Sequence, residues 1–131
     1  MTDIPGHLPH RHPFLLVDRI LAREPGVRVV AEKLVTAGAT PLPGRPVVPD
    51  TLLLEMLAQT AGFLEADTLH GRAMFLAGIQ DARFEAPVLP GDRLRLEVAP
   101  EGAFGGLMKV RGTVTCEGRE ICGASLMVKR P

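Results

Sequence analysis

One stretch decides the fold of this chain: Pro49-Asp50-Thr51-Leu52-Leu53-Leu54-Glu55-Met56-Leu57-Ala58-Gln59-Thr60-Ala61-Gly62-Phe63-Leu64. Asp50 and Thr51 are good helix N-caps, and strong helix formers follow them, so we predict an α-helix over residues 50 to about 69. Apolar side chains cover nearly every side of this helix, which indicates that protein or lipid surrounds it. Because the run is too short and too interrupted to cross a bilayer, we expect no membrane span and a helix buried in protein.

Glu55 lies in the middle of this apolar stretch and is the best candidate for a functional side chain. Burying an ionised carboxylate costs several kcal/mol unless the group has a partner or keeps its proton. Two interpretations follow. Glu55 is either a catalytic acid or a relic that is protonated or hydrogen-bonded to a neighbour such as Gln59, one turn along the helix.

Length and charge narrow the classes of protein. From 131 residues we expect one domain, residues 1–131, with a core of its own. The 15 basic and 15 acidic side chains give a net charge of zero, which disfavours a general nucleic-acid binder. The first residues include His7 and Pro9 instead of a basic region followed by an apolar run, so we predict no signal peptide and a cytoplasmic protein.

Cys116 and Cys122 are the only cysteines, and they flank a hairpin-like run. They could face each other across a turn, although a register shift of one residue would separate them. In a chain without an export signal we interpret them as reduced core thiols. Their spacing matches no zinc motif, and the chain has no Gly-rich phosphate loop, so we predict neither a metal site nor a cofactor.

Strand-like segments lie on both sides of the helix. Residues 14–20 and 27–35 are apolar and β-leaning, and a stiff Pro- and Gly-rich loop over residues 38–49 leads into the helix. After Gly71, apolar and polar residues alternate in three runs, which is typical of half-buried strands. The apolar members are Leu94, Leu96 and Val98, then Met108, Val110, Val114 and Cys116, then Cys122, Ala124, Leu126 and Val128. The simplest packing is an α+β arrangement in which an antiparallel sheet wraps around the helix, with an edge strand or sheet face that can pair with a second copy.

Three motifs resemble those of one enzyme family. They are Leu8-Pro9-His10-Arg11-His12-Pro13-Phe14-Leu15-Leu16-Val17-Asp18-Arg19, then Pro43-Gly44-Arg45-Pro46-Val47-Val48-Pro49 with Leu52 to Gln59, then Phe75-Leu76-Ala77-Gly78-Ile79-Gln80-Asp81-Ala82-Arg83-Phe84 with Pro90-Gly91-Asp92. In this order, and over almost the full length, they resemble the β-hydroxyacyl-acyl-carrier-protein dehydratases of the FabZ type. The resemblance implies a hot-dog fold, in which an antiparallel sheet wraps around one long central helix. It also implies a homodimer, alone or as a trimer of dimers, and an acyl thioester of phosphopantetheine as substrate.

The resemblance further implies how such a protein removes water from a 3-hydroxyacyl thioester. In the family, a His takes the proton next to the thioester carbonyl, and an acid on the partner subunit's central helix protonates the departing hydroxyl. A backbone N–H near the start of that helix polarises the carbonyl. The acid corresponds to Glu55 in this chain. Substrate contacts are expected, on the same resemblance, at Asp50, Thr51, Gln59, Gly78 and Phe84.

Two departures from the family pattern fall on this chemistry. The family's His belongs immediately ahead of the hydrophobic-Pro-Gly sequence, where this chain has Pro41, which has no proton-accepting side chain. The Gly that follows the last Pro of the motif is replaced by Asp50, whose carboxylate could cap the helix and occupy donors meant for the substrate oxygen. Since the loss of a general base costs about 10²–10⁴-fold in rate, the standard dehydration is disfavoured. His12, in the first motif, is a candidate for a replacement base.

Three functions therefore remain open. The first is a divergent dehydratase, or an inactive relative, that binds 3-hydroxyacyl thioesters of the fatty-acid or polyketide type. The second is a thioesterase for acyl-CoA or acyl carrier protein, in which Glu55 and the helix N-terminal amides direct water at the thioester without a His. The third is a non-catalytic subunit that binds acyl carrier protein while its partner supplies the missing base. All three interpretations predict an acyl thioester as ligand and no nucleic acid as partner.

Overall fold

The computed structural model describes residues 16–36, 47–65 and 74–130. In chain order the described elements are β1 (Arg19–Glu24), β2 (Arg28–Leu34), α1 (Asp50–Ala61), a 3-10 turn (Gly62–Leu64), β3 (Phe75–Phe84), β4 (Arg93–Phe104), β5 (Leu107–Cys116) and β6 (Arg119–Lys129). The strands form a single antiparallel sheet in the order β1-β2-β4-β5-β6-β3. The two edges of this sheet are therefore β1 and β3.

The alternation of apolar and polar residues decides which face of the sheet is buried. In β4, Leu94, Leu96 and Val98 are fully buried, whereas Arg93 and Arg95 are exposed on the other face. The same period of two recurs in β5, because successive side chains of a strand point to opposite faces. The predicted strand pattern in this part of the chain is confirmed.

Helix α1 lies across the inner face of the sheet and packs against β2, β4, β5 and β6. Its approach to β5 is close at Gly112, where an added Cβ would lie 3.0 Å from Cδ1 of Leu57. Such a distance is tighter than ordinary van der Waals contact, so glycine lets the helix come down onto the strand. The predicted α+β arrangement, a sheet wrapped around one helix, is confirmed.

A two-residue hairpin turn joins β5 and β6 and sets the register between them. Glu117 and Gly118 have φ values of 51° and 78°, as two-residue hairpins require. In this register Cys122 lies opposite Val114, so it does not face Cys116. Both cysteines are free, which confirms the prediction of reduced thiols. Burial raises the pKa of the Cys122 thiol to about 11.

The helix is shorter than the sequence predicts. The α-helix ends at Ala61, residues 62–64 form a single 3-10 turn, and residues 66–69 lie outside the described residues. The carbonyl of Phe63 accepts a hydrogen bond from Nε of Arg23 at 2.8 Å. Because a distant side chain satisfies a carbonyl at this end, the helix can stop here without leaving that group unpaired. No helix within the described residues is long and apolar enough to cross a membrane.

The first strand begins later than predicted. Within the expected strand over residues 14–20, residues 16–18 are not extended into the sheet ladder, and β1 begins at Arg19. The Asp18 carboxylate accepts the backbone N–H of Leu34 at 2.7 Å. A side chain thus takes the place of a strand pairing at this point, which is why the ladder starts after Asp18. Residues 14 and 15 lie outside the described residues.

Candidate active site

The start of α1 has no side-chain cap. Pro49, with φ −59° and ψ 143°, is the last non-helical residue, and Asp50 and Thr51 already belong to the first turn. The expectation that either residue caps the helix is therefore wrong. The carboxylate of Asp50 is exposed near the positive end of the helix dipole, which stabilises a negative charge there. Because first-turn N–H groups have no acceptor inside the helix, this end of α1 can hold a substrate oxygen.

Buried contacts hold the start of α1 against one end of the sheet. The N–H of Val48 donates to the carbonyl of Val88 at 3.0 Å, and both side chains are buried. The charge of Asp50 is close enough to Cys122 to help raise the pKa of that thiol, after burial itself. Cys122 is in turn paired with Phe84 of β3. The helix start, β6 and the end of β3 therefore meet in one place.

Glu55 lies on the least buried side of α1. Leu52, Glu55 and Ala58 are half-buried and follow one another at a spacing of three residues. We call these three residues the open stripe. Every other residue of α1 after its first two is buried. The helix is thus covered on nearly every side, as predicted, but Glu55 is half-buried and not fully enclosed, so a ligand can reach its carboxyl group.

Gln59 connects Glu55 to the N-terminal motif. The side chain of Gln59 is only 2% exposed. Its Oε1 accepts the backbone N–H of Leu16 at 2.8 Å, and its Nε2 donates to Oε1 of Glu55 at 3.4 Å. The second distance is at the long end for a hydrogen bond, so the first contact is the stronger. The position of the Glu55 carboxyl group therefore depends on a segment far away in the sequence.

Gly78 and Phe84 lie on β3, the edge strand next to β6. Gly78 pairs with Met127 along the strand, and Phe84 pairs with Cys122 at its end. Since α1 packs against β2, β4, β5 and β6, Gly78 lies one strand beyond the part of the sheet that the helix covers. Phe84 lies at the helix start and is 38% exposed. Their assignment as substrate contacts stays a prediction.

Pro41 and His12 lie outside the described residues, and their predicted roles stay predictions. The contact that sequence reasoning missed is the backbone amide of Leu16. A main-chain donor carries no residue-specific signal, and it meets Gln59 only because the fold brings together residues 43 positions apart. Within the described ranges, no group of three or more His, Cys, Asp and Glu side chains could hold a metal ion.

The two surface hollows described by the structure lie on the outer face of the sheet, and no predicted site residue lines them. Glu32, which lines both, bridges Arg19 at 2.7 Å and Arg93 at 3.3 Å. These charges neutralise one another, and the hollows contain no group with the chemistry of an acid or nucleophile poised for reaction. The chemistry therefore belongs to the helix side of the sheet.

An antiparallel sheet wrapped around one central helix defines the hot-dog fold, and solved structures match it. A chain of the dehydratase heterocomplex ApeI:P from Xenorhabdus doucetiae has a TM-score of 0.87 at 18% identity, covering 100% of this chain and 92% of that one. A hypothetical thioesterase with coenzyme A from Streptococcus pneumoniae TIGR4 has a TM-score of 0.68 at 14% identity, covering 86% and 84%. Both similarities show the fold.

Sequence comparison shows the family. Residues 8–125 match the FabA-like domain. The 3-hydroxyacyl-acyl-carrier-protein dehydratase FabZ of Roseiflexus sp. (strain RS-1) is 45% identical, over 97% of this chain and 93% of the relative. The chain belongs to the FabA-like family, and within it to the FabZ-type dehydratases.

Proposed function

We propose that this protein binds 3-hydroxyacyl and 2-enoyl thioesters of acyl carrier protein, with Glu55 as the acid of the site, and does not carry out the His-dependent dehydration efficiently by itself. One observation carries the proposal: the carboxyl group of Glu55 is held by the buried Gln59 on the open stripe of α1. An acid that is both anchored and reachable can pass a proton to a ligand hydroxyl. Dehydration, the activity for which the FabZ relatives are named, needs such a group.

The reaction assigns a task to each part of the site. A base removes a proton from C2 of the 3-hydroxyacyl thioester, the C3–O bond breaks, and an acid protonates the departing hydroxyl, so the products are a 2-enoyl thioester and water. Glu55 supplies the proton for the hydroxyl. The first-turn N–H groups of α1, around Asp50 and Thr51, stabilise the negative charge that develops on the thioester oxygen. In the reverse direction, hydration, the same groups exchange roles.

The β3 edge supports a homodimer as the functional form. Four large apolar side chains of β3 are between 37% and 57% exposed in the single chain: Phe75, Leu76, Ile79 and Phe84. A ten-residue edge strand with such side chains is prone to pair with another strand. Pairing of β3 with β3 of a second copy covers these side chains and makes a crevice between two subunits, with Gly78 and Phe84 beside it. The resemblance to the family extends this dimer to a trimer of dimers as the larger assembly.

Pro41 explains the second half of the proposal. It stands where the family pattern places the His that acts as base, and a proline side chain cannot accept a proton. A missing general base costs about 10²–10⁴-fold in rate. Binding of the thioester depends on the crevice and the helix start, so it survives this loss. His12 is the alternative base if the unaltered protein turns over rapidly.

The direct test is to restore the base. Dehydration of a 3-hydroxyacyl thioester of acyl carrier protein is measured for the unaltered protein, for Pro41→His and for Pro41→Ala. We expect Pro41→His to be at least ~100-fold faster than the other two, because only it adds a proton acceptor. Pro41→Ala is the matched control, since it removes the rigid ring without adding a base. Equal rates for Pro41→His and Pro41→Ala would refute the assignment of position 41.

The same incubations separate the proposal from its two alternatives. Release of free thiol from acyl-CoA or acyl carrier protein, at a rate that Glu55→Gln abolishes, would indicate a thioesterase instead. Co-purification with a His-bearing relative, together with dehydration only in the mixture, would indicate a non-catalytic subunit. We expect no thiol above the background of the Glu55→Gln variant.

A further inference from the structure

We infer that Gln59 is a positioning residue that determines which oxygen of Glu55 meets the 3-hydroxyl group of the ligand, and that the amide of Leu16 fixes Gln59 in turn. The inference rests on the proposed thioester site. It adds a specificity role to that site: discrimination between a 3-hydroxyacyl chain and the saturated chain of the same length.

The Leu16 amide determines the orientation of the Gln59 side chain. A side-chain amide has one end that accepts hydrogen bonds and one that donates them, and a backbone N–H can only donate. The oxygen of Gln59 must therefore face Leu16, where the distance is 2.8 Å. Its NH₂ group then faces Oε1 of Glu55 at 3.4 Å. Because Gln59 is only 2% exposed, bulk water does not compete for either end.

This orientation determines where Glu55 carries its proton. Oε1 faces an N–H donor and therefore serves as an acceptor, so the proton of the neutral acid is placed on Oε2. The terminal torsion of a glutamate is soft and roughly two-fold, so an unheld carboxyl group could present either oxygen. With Gln59 in place, the oxygen that carries the proton is the one presented to a ligand hydroxyl on the open stripe.

The test compares two ligands that differ only in the hydroxyl group: the pantetheine amides of 3-hydroxyoctanoic acid and octanoic acid, in which NH replaces the thioester sulfur. Their dissociation constants are measured for the unaltered protein, Gln59→Leu and Gln59→Glu. Gln59→Glu is the matched control, because its carboxylate still accepts the Leu16 N–H but offers Glu55 no N–H donor. Glu55→Ala and the double variant Glu55→Ala/Gln59→Leu complete the set.

We expect the unaltered protein to bind the hydroxylated ligand about tenfold more tightly than the saturated one, the value of one good hydrogen bond. In Gln59→Leu and in Gln59→Glu this preference should fall to about twofold or less. In the Glu55→Ala background, Gln59→Leu should change the preference no further, because Gln59 acts only through Glu55. A purely structural Gln59 would instead weaken both ligands equally and in both backgrounds.

The possible failures are distinguishable. If the unaltered protein binds neither ligand, the proposed function is wrong and this inference falls with it. If the unaltered protein prefers the hydroxylated ligand and both Gln59 variants keep that preference, only the role of Gln59 is wrong. Should Gln59→Leu fail to fold, Gln59→Glu decides alone. In the unaltered protein, a scalar coupling between the Leu16 amide nitrogen and the side-chain carbonyl carbon of Gln59 must also be detectable by NMR, and its absence would overturn the inference.

Discussion

The two sides of α1 contrast with each other. On the side that faces the sheet, Leu53 and Leu57 are at most 1% exposed, and Leu57 fits against a strand at a place where only glycine leaves enough room. On the open stripe, Leu52 and Glu55 are half-buried. The sheet-facing side is constrained by shape alone. The open stripe tolerates a carboxyl group, and one helix can therefore hold the core together and carry the chemistry.

The largest expected effect breaks the sheet-facing side. Leu57→Ala removes a fully buried side chain that has no room to be replaced by movement of Gly112, so we expect a loss of about 2–5 kcal/mol in the free energy of unfolding. Leu52→Ala, on the open stripe, is the matched control and should lose less than half as much. Urea denaturation at one protein concentration measures both. Equal losses would show that the two sides of the helix are packed alike.

A smaller effect sharpens the comparison through pH. Cys122 faces the helix side of the sheet, and its pKa is about 11 in the folded chain against 9.0 for an ordinary thiol. Since the folded state keeps the proton to higher pH, this contribution is complete below about pH 9 and is lost as pH rises towards 11. The loss is on the order of 2 kcal/mol. The chain has no tyrosine to titrate in this range.

The control for this titration is Cys122→Ala. We expect the stability of the unaltered protein, measured by urea denaturation from pH 8 to 10.5, to fall more steeply than that of Cys122→Ala. Parallel curves would mean that the thiol titrates normally in the folded chain.

Much of the fold follows from periodicity, and its failures have a common cause. The alternating residues of β4, β5 and β6 predict strands correctly because burial on one face is a local property of the sequence. The end of α1 and the start of β1 were both misplaced, because side chains from elsewhere satisfy the backbone there: Arg23 at the Phe63 carbonyl, and Asp18 at the Leu34 amide. No local pattern reports such tertiary bonds.

The candidate site was only partly predictable for the same reason. Glu55 is conspicuous as a carboxyl group among leucines, and its neighbour Gln59 follows from helical spacing. The donor that orients Gln59 is a main-chain N–H at Leu16, which no residue type announces. The roles of Pro41 and His12 come from the family resemblance, because composition and spacing alone give a proline or a histidine in a loop no function.

A mixture of two inactive variants tests the central claim most directly, namely that Glu55 of one subunit serves a base position in the other. The unaltered chain has Glu55 without a base, and Pro41→His/Glu55→Gln has a base without Glu55. Each should be slow alone, whereas heterodimers formed by mixing and refolding contain one complete site and should reach up to about half the rate per site of a Pro41→His homodimer. No gain on mixing, with Pro41→His active by itself, would contradict a site shared between subunits.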